Sequence, residues 1–141
     1  MNLRTLLLLA LAAFAASPGA FAQQACSNNC TITVEVTSDG KTCAIIAPRK
    51  NDEFHIARFA TTDITWRLKA PQGFVFSEPD GIKFSPDPPA NTFIRRPSSN
   101  RQEFTYNDKN DTPGKRGAHP YHIQVENGSI TCRLDPSVVN D

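Results

Sequence analysis

Short runs of alternating hydrophobic and polar residues dominate the chain after residue 22, and Gly, Pro, Asn and Asp separate them. Such alternation is typical of β-strands, whereas no helical period persists over three turns. The clearest runs are residues 31–37 and 62–68, in which every second residue is hydrophobic. In the second run we expect Ile64, Trp66 and Leu68 to point inward. The spacing of the runs predicts about seven to nine strands.

A hairpin is predicted after the first of these runs. Asp39-Gly40 follows it directly, and residues 42–47 form a second hydrophobic run that Pro48 stops. Asp-Gly between two such runs is a strong hairpin signal, because both central residues of a type I′ turn need positive φ. The sequence therefore predicts two antiparallel strands joined by a type I′ turn.

The rest of the chain continues this pattern. The proline-rich residues 85–97 cannot pair as a central strand, so we expect a long surface loop there. Trp66 and the phenylalanines after residue 22 are predicted to lie in the core. A two-sheet sandwich is the fold that short strands at this spacing favour. The further predicted strands are residues 54–59, 74–76, 82–84, 103–106, 121–126 and 129–134.

The first 22 residues have the layout of a secretory signal peptide. Arg4 is followed by an apolar run over residues 6–16, a Ser-Pro-Gly break and an Ala-Phe-Ala cleavage pattern at residues 20–22. The apolar run is shorter than the about 20 residues that a membrane-spanning helix needs. We therefore expect residues 1–22 to be removed. Residues 23–141 would then form a single domain, secreted or periplasmic, with no membrane span.

The predicted mature chain is formally neutral. The signal peptide holds one of the 15 Lys and Arg residues and none of the 14 Asp and Glu residues, so 14 of each remain. A neutral chain offers no general electrostatic attraction to nucleic acid, and we expect none as a partner.

The four cysteines all lie in the predicted mature chain, where export normally oxidises thiols. Four cysteines allow three pairings. We favour Cys43 with Cys132, because each lies inside a strand-like run, which leaves Cys26 with Cys30. A zinc site is the alternative, but the spacing does not match the paired C-x2-C pattern of such sites.

Three segments carry a family resemblance. Residues 117–125 (GAHPYHIQV) resemble the cupredoxin strand in which a glycine-containing loop leads to an aromatic residue and, two residues on, the copper cysteine. Residues 64–68 (ITWRL) and 134–140 (LDPSVVN) resemble small exported bacterial proteins of unknown function with a copper-less cupredoxin-like sandwich. The resemblance covers residues 31–140. It implies an all-β, single two-sheet Greek-key sandwich, cupredoxin-like or immunoglobulin-like, and no particular activity.

A blue copper centre is not expected. Such a centre needs two histidines, a cysteine and usually an axial methionine. Ile123 stands where the resemblance would place the cysteine, no histidine follows Cys132, and the only methionine is Met1. We therefore expect no cofactor.

The three histidines are candidates for a weaker metal site. His119 and His122 are three residues apart, and residues at that spacing in a strand point to opposite faces. His55 is a distant third ligand. Ordinary polar roles are favoured, and a periplasmic metal-binding protein that uses these surface histidines is the first alternative function.

Residues 108–111 (DKND) resemble an oxygen-liganding calcium loop, since carboxylates and amides alternate there. Pro113 stands where an EF-hand needs Gly, and His119 where it needs a bidentate Glu. Residues 106–115 are therefore interpreted as a turn whose Asp and Asn side chains bond neighbouring amides.

Catalytic motifs do not support an enzyme. The chain contains no G-x-S-x-G, H-E-x-x-H or phosphate-binding glycine loop. Glu78 and Asp80 are the candidates for an acid–base pair, but both flank a proline in a predicted turn, where we expect them to be solvated. A small hydrolase is the second alternative function.

Basic residues in two predicted loops are interpreted first as charged, solvated loop residues. They are also the first candidates for a partner-binding surface, because arginines beside aromatic residues can bind anionic groups. We predict an exported non-enzymatic interaction or structural module, whose partner is an unknown protein or a small anionic ligand. The sequence sets no oligomeric state. The predicted partner-binding residues are Arg95, Arg96, Arg101, Lys115 and Arg116.

Overall fold

The computed structural model describes residues 23–98 and 100–141. The predicted signal peptide lies outside the described residues. Within them, no helix has the length and apolar character needed to cross a membrane. One short 3₁₀ helix covers Pro113–Lys115. The described strands are β1 (Gln23–Cys26), β2 (Cys30–Ser38), β3 (Cys43–Ala47), β4 (Glu53–Ile56), β5 (Thr61–Lys69), β6 (Val75–Phe76), β7 (Ile82–Phe84), β8 (Phe93–Arg96), β9 (Glu103–Lys109), β10 (Gly117–Asn127), β11 (Ile130–Leu134) and β12 (Ser137–Asn140).

The strands form two mixed sheets that pack as a sandwich. The larger sheet has the order β1-β4-β12-β10-β11, and β6 and β7 also pair with β10. The smaller sheet has the order β3-β2-β5-β9-β8. Parallel pairs join β1 to β4, β4 to β12 and β2 to β5, while the other pairs are antiparallel. The prediction of an all-β, two-sheet protein is confirmed.

The core follows the predicted alternation. Along β5, Ile64, Trp66 and Leu68 are buried, whereas Arg67 between them is exposed. This pattern arises because successive side chains of a strand point to opposite faces. The buried hydrophobic residues between the sheets, apart from the cysteines, are Ile32, Val34, Val36, Phe54, Ile56, Ile64, Trp66, Leu68, Phe74, Phe76, Ile82, Phe84, Phe104, Tyr121, Ile123, Val125 and Val138.

Two disulfides connect the sheets. Cys43 on β3 bonds Cys132 on β11, and Cys26 on β1 bonds Cys30 on β2. These are the two pairs that the sequence favours. Each bridge joins a strand of the larger sheet to a strand of the smaller one. Disulfides of this kind indicate an oxidising, extracytoplasmic environment.

The predicted hairpin between β2 and β3 is confirmed, but its turn is not type I′. Gly40 has φ +85°, whereas Asp39 does not have positive φ. The carboxylate of Asp39 instead accepts hydrogen bonds from the backbone N–H groups of Lys41 and Thr42 at 2.8 and 2.7 Å. These bonds lower the pKa of Asp39, chiefly through Thr42. A side-chain-closed turn therefore replaces the backbone geometry that Asp-Gly suggests.

Two loop predictions are wrong in part. Within the proline-rich residues 85–97, residues Phe93–Arg96 form β8. This strand lies at the edge of its sheet, where prolines nearby are tolerated. The turn predicted over residues 106–115 begins too early, because β9 continues to Lys109 through its pairing with β5.

Candidate functional site

The three predicted arginines near residues 95–101 are already engaged by carboxylates. Arg95 and Arg96 lie on β8 rather than in a loop. The guanidinium carbon of Arg95 also lies 4.3 Å from the centre of the Phe104 ring. The positive charges of all three arginines are compensated by carboxylates of the same molecule. The ion pairs are Arg95 with Glu78, Arg96 with Asp63 and Arg101 with Glu126.

Lys115 and Arg116, the other two predicted residues, differ from each other. Lys115 Nζ lies 2.7 Å from Asp111 Oδ1. Arg116 forms no salt bridge with any residue that the structure describes. Its guanidinium carbon lies 5.6 Å from the centre of the Phe59 ring. Arg116 is thus the predicted residue whose charge stays available.

Phe59 lies on the surface, so its prediction as a core residue is wrong. Its side chain is 64% exposed, and its backbone has φ +59°. The cause is a tight turn between β4 and β5, in which the N–H of Ala60 donates to the carbonyl of Ala57 at 3.2 Å. A bulky residue in the left-handed region is a genuine outlier. Such strain persists only where the surrounding structure imposes it, and it is concentrated at functional sites.

Arg58 completes a surface group that we call the Phe59 patch, consisting of Arg58, Phe59 and Arg116, of which Arg58 and Phe59 are exposed and Arg116 is half-buried. The guanidinium carbon of Arg58 lies 5.4 Å from the centre of the Phe59 ring. Arg58, like Arg116, has no salt bridge within residues 23–98 and 100–141. Both distances are within the range of cation–π attraction. The ring therefore lies within cation–π range of two guanidinium groups that have no carboxylate partner among the described residues.

Hydrogen bonds from buried polar residues hold the backbone next to Phe59 and next to Arg116. The side-chain Nδ2 of Asn110 donates to the carbonyl of Ala57, and its backbone N–H donates to that of Ala60. The carbonyl of Lys115, next to Arg116, accepts bonds from Asn140 Nδ2 at 3.2 Å and His119 Nε2 at 2.8 Å. The backbone that carries the Phe59 patch is therefore held in place by these hydrogen bonds.

His119 and His122 are buried rather than surface residues, with 8% and 9% exposure on β10. His119 pairs with the inward-facing Val138 and contacts Phe93 edge-on, with the ring centres 5.1 Å apart. His122 lies opposite Lys83 on β7. Burial is the main cause of its lowered pKa, and its Nδ1 has no hydrogen-bond partner among the described residues.

The structure does not bring the three histidines together. His55 on β4 donates from Nδ1 to Asp141 Oδ1 at 3.0 Å, and this bond is the main reason that its pKa is raised. Across the described residues, no group of three or more His, Cys, Asp or Glu side chains is suited to hold a metal ion. The arrangement does not support a site shared by His55, His119 and His122.

Residues 108–111 are not a simple surface turn. Asp108 and Asn110 are both buried, whereas Asp111 is exposed. Burial raises the pKa of Asp108 to about 7, against a hydrogen bond from Asn140 that lowers it. The prediction of a turn whose Asp and Asn side chains bond neighbouring amides is therefore wrong for these two residues. Asp108 lies on the inward face of β9, and Asn110, just beyond this strand, donates to the backbone carbonyls of distant residues.

The carboxylates considered for acid–base chemistry are exposed and paired. Glu78 binds Arg95, and Asp80 Oδ2 lies 3.4 Å from Lys83 Nζ. A shallow depression of about 380 Å³ at the β2–β3 hairpin contains Asp39, whose carboxylate is already occupied by backbone amides. Neither place combines a free acid with a free base.

The outward direction of Phe59 is indicated by the alternation along residues 54–59, although Phe59 is predicted above as a core residue. Phe54 and Ile56 are in phase with each other and face the core, whereas Phe59 is out of phase with both. Arg58 stands at the position that would continue the inward face. The alternation therefore ends before Phe59, which indicates an outward-pointing ring.

No protein-family model matches the chain, and no curated protein matches it significantly. The function is therefore inferred from the geometry and charges of the site.

Proposed function

We propose that the protein is an exported, non-enzymatic binding module that docks an acidic protein surface through the Phe59 patch. The observation that carries this proposal is the exposed ring of Phe59, held in a left-handed turn beside two guanidinium groups that form no salt bridge with any described residue.

The composition of the patch supports docking. Aromatic residues and arginines are enriched at the centres of protein interfaces and carry much of the binding energy. The strained backbone of Phe59 supports the same reading, since a glycine or asparagine would occupy this turn at lower cost. A rigid ring also loses little conformational entropy when it enters a pocket.

The charges of the patch favour an acidic partner. Within the part of the chain that the structure describes, Arg58 and Arg116 have no carboxylate partner, whereas Arg95, Arg96 and Arg101 each have one. A guanidinium binds a carboxylate with two parallel hydrogen bonds, which gives orientation as well as affinity. We infer that the partner offers a hydrophobic pocket for Phe59 with carboxylates at its rim.

Export and topology belong to the same proposal. We infer that residues 1–22 are cleaved on export to the periplasm or the medium, and that the sandwich has the Greek-key, cupredoxin-like arrangement that the resemblance implies. The two disulfides support export, and the two mixed sheets are compatible with that arrangement.

Site-specific photo-crosslinking in cells of the source organism tests the docking surface. A photoreactive benzoyl-phenylalanine replaces Phe59 in one variant and Ile46 in a control. Ile46 on β3 is the matched control, because it is the other exposed large hydrophobic residue within the described residues. We expect an acidic protein to be cross-linked from position 59 and not from position 46. Equal products from both positions, or none from position 59, would contradict the proposal.

Binding measurements with the cross-linked protein then test the chemistry. We expect Phe59→Ala to weaken binding by about 30-fold, as for an interface hot spot. Arg58→Ala and Arg116→Ala should weaken it and reduce its dependence on salt. Arg67→Ala is the control, since Arg67 is an exposed arginine paired with Glu103. A loss of affinity in Arg67→Ala as large as in Phe59→Ala would refute the assignment.

A further inference from the structure

At one end of the sandwich, several buried polar side chains carry oxygen atoms without a hydrogen-bond partner among the described residues. Four polar side chains there, which we call the oxygen cluster, are at most 2% exposed. Each has a side-chain oxygen without a hydrogen-bond partner among the described residues. The atoms are Thr62 Oγ1, Asp108 Oδ2, Asn110 Oδ1 and Asn140 Oδ1. Buried polar atoms are normally paired, so four unpaired oxygens require an explanation.

The topology brings the members of the cluster to the same place. Thr62 on β5 lies directly opposite Asp108 on β9, so both side chains share the inward face. Asn140 reaches them from the other sheet, where its Nδ2 donates to Asp108 Oδ1 at 3.2 Å. Both sheets therefore contribute oxygen atoms to the cluster.

Asn110 joins the cluster just beyond the end of β9. Its Nδ2 lies 3.3 Å from the carbonyl oxygen of Ile56 and 3.2 Å from that of Asp141. Ile56 is the register partner of Asn140. Asn110 is thus adjacent to Asn140, at the same end of the sandwich.

The hydrogen bonds fix which end of each amide is oxygen. Asn140 Nδ2 faces two acceptors, the carboxylate of Asp108 and the carbonyl of Lys115. Asn110 Nδ2 faces three backbone carbonyls. A flipped amide would place its oxygen against these acceptors, which is repulsive. Both unpaired atoms are therefore oxygens, and such oxygens only accept.

The cluster also lacks positive charge. Asp108 is its only carboxylate, and burial raises its pKa to about 7 because an ionised carboxylate away from water needs compensation. The nearby ammonium of Lys115 is bound by Asp111 at 2.7 Å. The ring of His119 donates to the carbonyl of Lys115 rather than to Asp108. A bound cation with oxygen ligands would compensate the charge of ionised Asp108 and would also coordinate the unpaired oxygen atoms.

We propose that the oxygen cluster is a structural binding site for a hard cation of the calcium type. Carboxylate, amide and hydroxyl oxygens are the donors that calcium takes, whereas zinc and copper prefer nitrogen and sulfur. Magnesium demands near-ideal octahedral geometry and retains water, so it fits an all-protein site less well. This site is separate from partner docking, although Asn110 and Asn140 also hold the backbone beside the Phe59 patch.

Thermal unfolding of the exported protein, purified with both disulfides and freed of metal with chelator, tests the site at pH 8. We expect about 10 mM CaCl₂ to raise the Tm by about 4 °C, given a Kd near 1 mM as in extracellular calcium modules. Choline chloride at equal ionic strength should leave the Tm unchanged, and MgCl₂ should have a smaller effect. A native mass spectrum should show one calcium ion per chain.

Two variants locate the response. Asp108→Asn removes the only carboxylate of the cluster and should abolish the calcium-dependent rise in Tm. Asp87→Asn removes an exposed carboxylate elsewhere and should retain the rise. An unchanged Tm of the wild-type protein in calcium overturns the proposal even if Asp108→Asn does not fold. An equal response of Asp108→Asn also overturns it. If the Tm depends on pH but calcium does not alter it, the proposal is also overturned, and the buried carboxyl group of Asp108 binds a proton rather than a metal ion.

Discussion

The indole Nε1 of Trp66 donates a hydrogen bond to the phenolic oxygen of Tyr121 at 3.1 Å, across the interior of the sandwich. Trp66 lies on β5 of the smaller sheet and Tyr121 on β10 of the larger sheet. Both side chains are at most 1% exposed, and their rings meet edge-on with centres 5.2 Å apart. The bond satisfies an indole N–H that has no access to water.

Tyr121→Phe should therefore destabilise the protein. Loss of the hydroxyl leaves the Trp66 N–H buried without an acceptor, which costs about 1–3 kcal/mol. Urea unfolding measures the change. Tyr106→Phe is the matched control, because the Tyr106 hydroxyl donates to the backbone carbonyl of Ile82 at 3.0 Å. A carbonyl tolerates a lost donor better than an N–H tolerates a lost acceptor, so the control should be less affected. Equal losses would contradict this account.

The two disulfides should contribute unequally to stability. Cys43–Cys132 spans 89 residues of sequence, whereas Cys26–Cys30 spans four. In the chain-entropy model, the long loop stabilises the fold by about 4 kcal/mol and the short loop by about 2 kcal/mol. Urea unfolding of the Cys43→Ala/Cys132→Ala and Cys26→Ala/Cys30→Ala double variants measures both values. A larger loss from removing the short bridge would show that loop entropy does not govern the difference.

Asp108 should make the metal-free protein less stable as the pH rises. Its pKa is about 7 in the folded state, against an ordinary value of 3.8 for an aspartate in the unfolded chain. The folded protein therefore retains a proton that the unfolded chain releases, so the contribution is complete below pH 3.8 and disappears as the pH passes 7. The difference corresponds to about 4 kcal/mol.

Other groups titrate over the same range, so the contribution of Asp108 is measured as a difference. Urea unfolding of the wild type and Asp108→Asn from about pH 4 to pH 8, both with chelator, isolates it. We expect the advantage of the wild type to shrink steadily as the pH rises. Asp87→Asn, an exposed-carboxylate variant, should follow the wild type. A constant difference between the wild type and Asp108→Asn would exclude a raised pKa at Asp108.

Local alternation of hydrophobic and polar residues was enough to predict the central strands, but it did not predict how strands from distant parts of the chain pair. β2 and β5 each bury every second residue, so their inward faces follow from the sequence alone. β12 is short, and its pairing with β4 and β10 brings together distant parts of the chain. No local sequence pattern predicts that pairing. The burial of Asn140 against Asp108 depends on it and was therefore not predicted.

The surface proposed for docking was predicted only in part, for a related reason. Arg116 was predicted because charge is visible in the sequence. The pairing of Arg95 with Glu78 and of Arg101 with Glu126 depends on how strands align, which sequence spacing does not give. Phe59 is predicted to lie in the core with the other phenylalanines, on the ground that their spacing follows the strand alternation, whereas the tight turn at Ala57 decides its direction. Long-range pairing and turn geometry thus determine which charges remain available.

Phe59→Gly should stabilise the protein while it abolishes docking. Phe59 has φ +59°, and a left-handed backbone costs a residue with a side chain about 1–2 kcal/mol, whereas glycine adopts it freely. Urea unfolding should show a gain of about 1 kcal/mol after the flexibility of glycine in the unfolded chain is included. Asn91→Gly is the control, since Asn91 has φ +61° but asparagine tolerates that region, so its gain should be smaller. A destabilised Phe59→Gly would show that the exposed ring serves stability rather than binding.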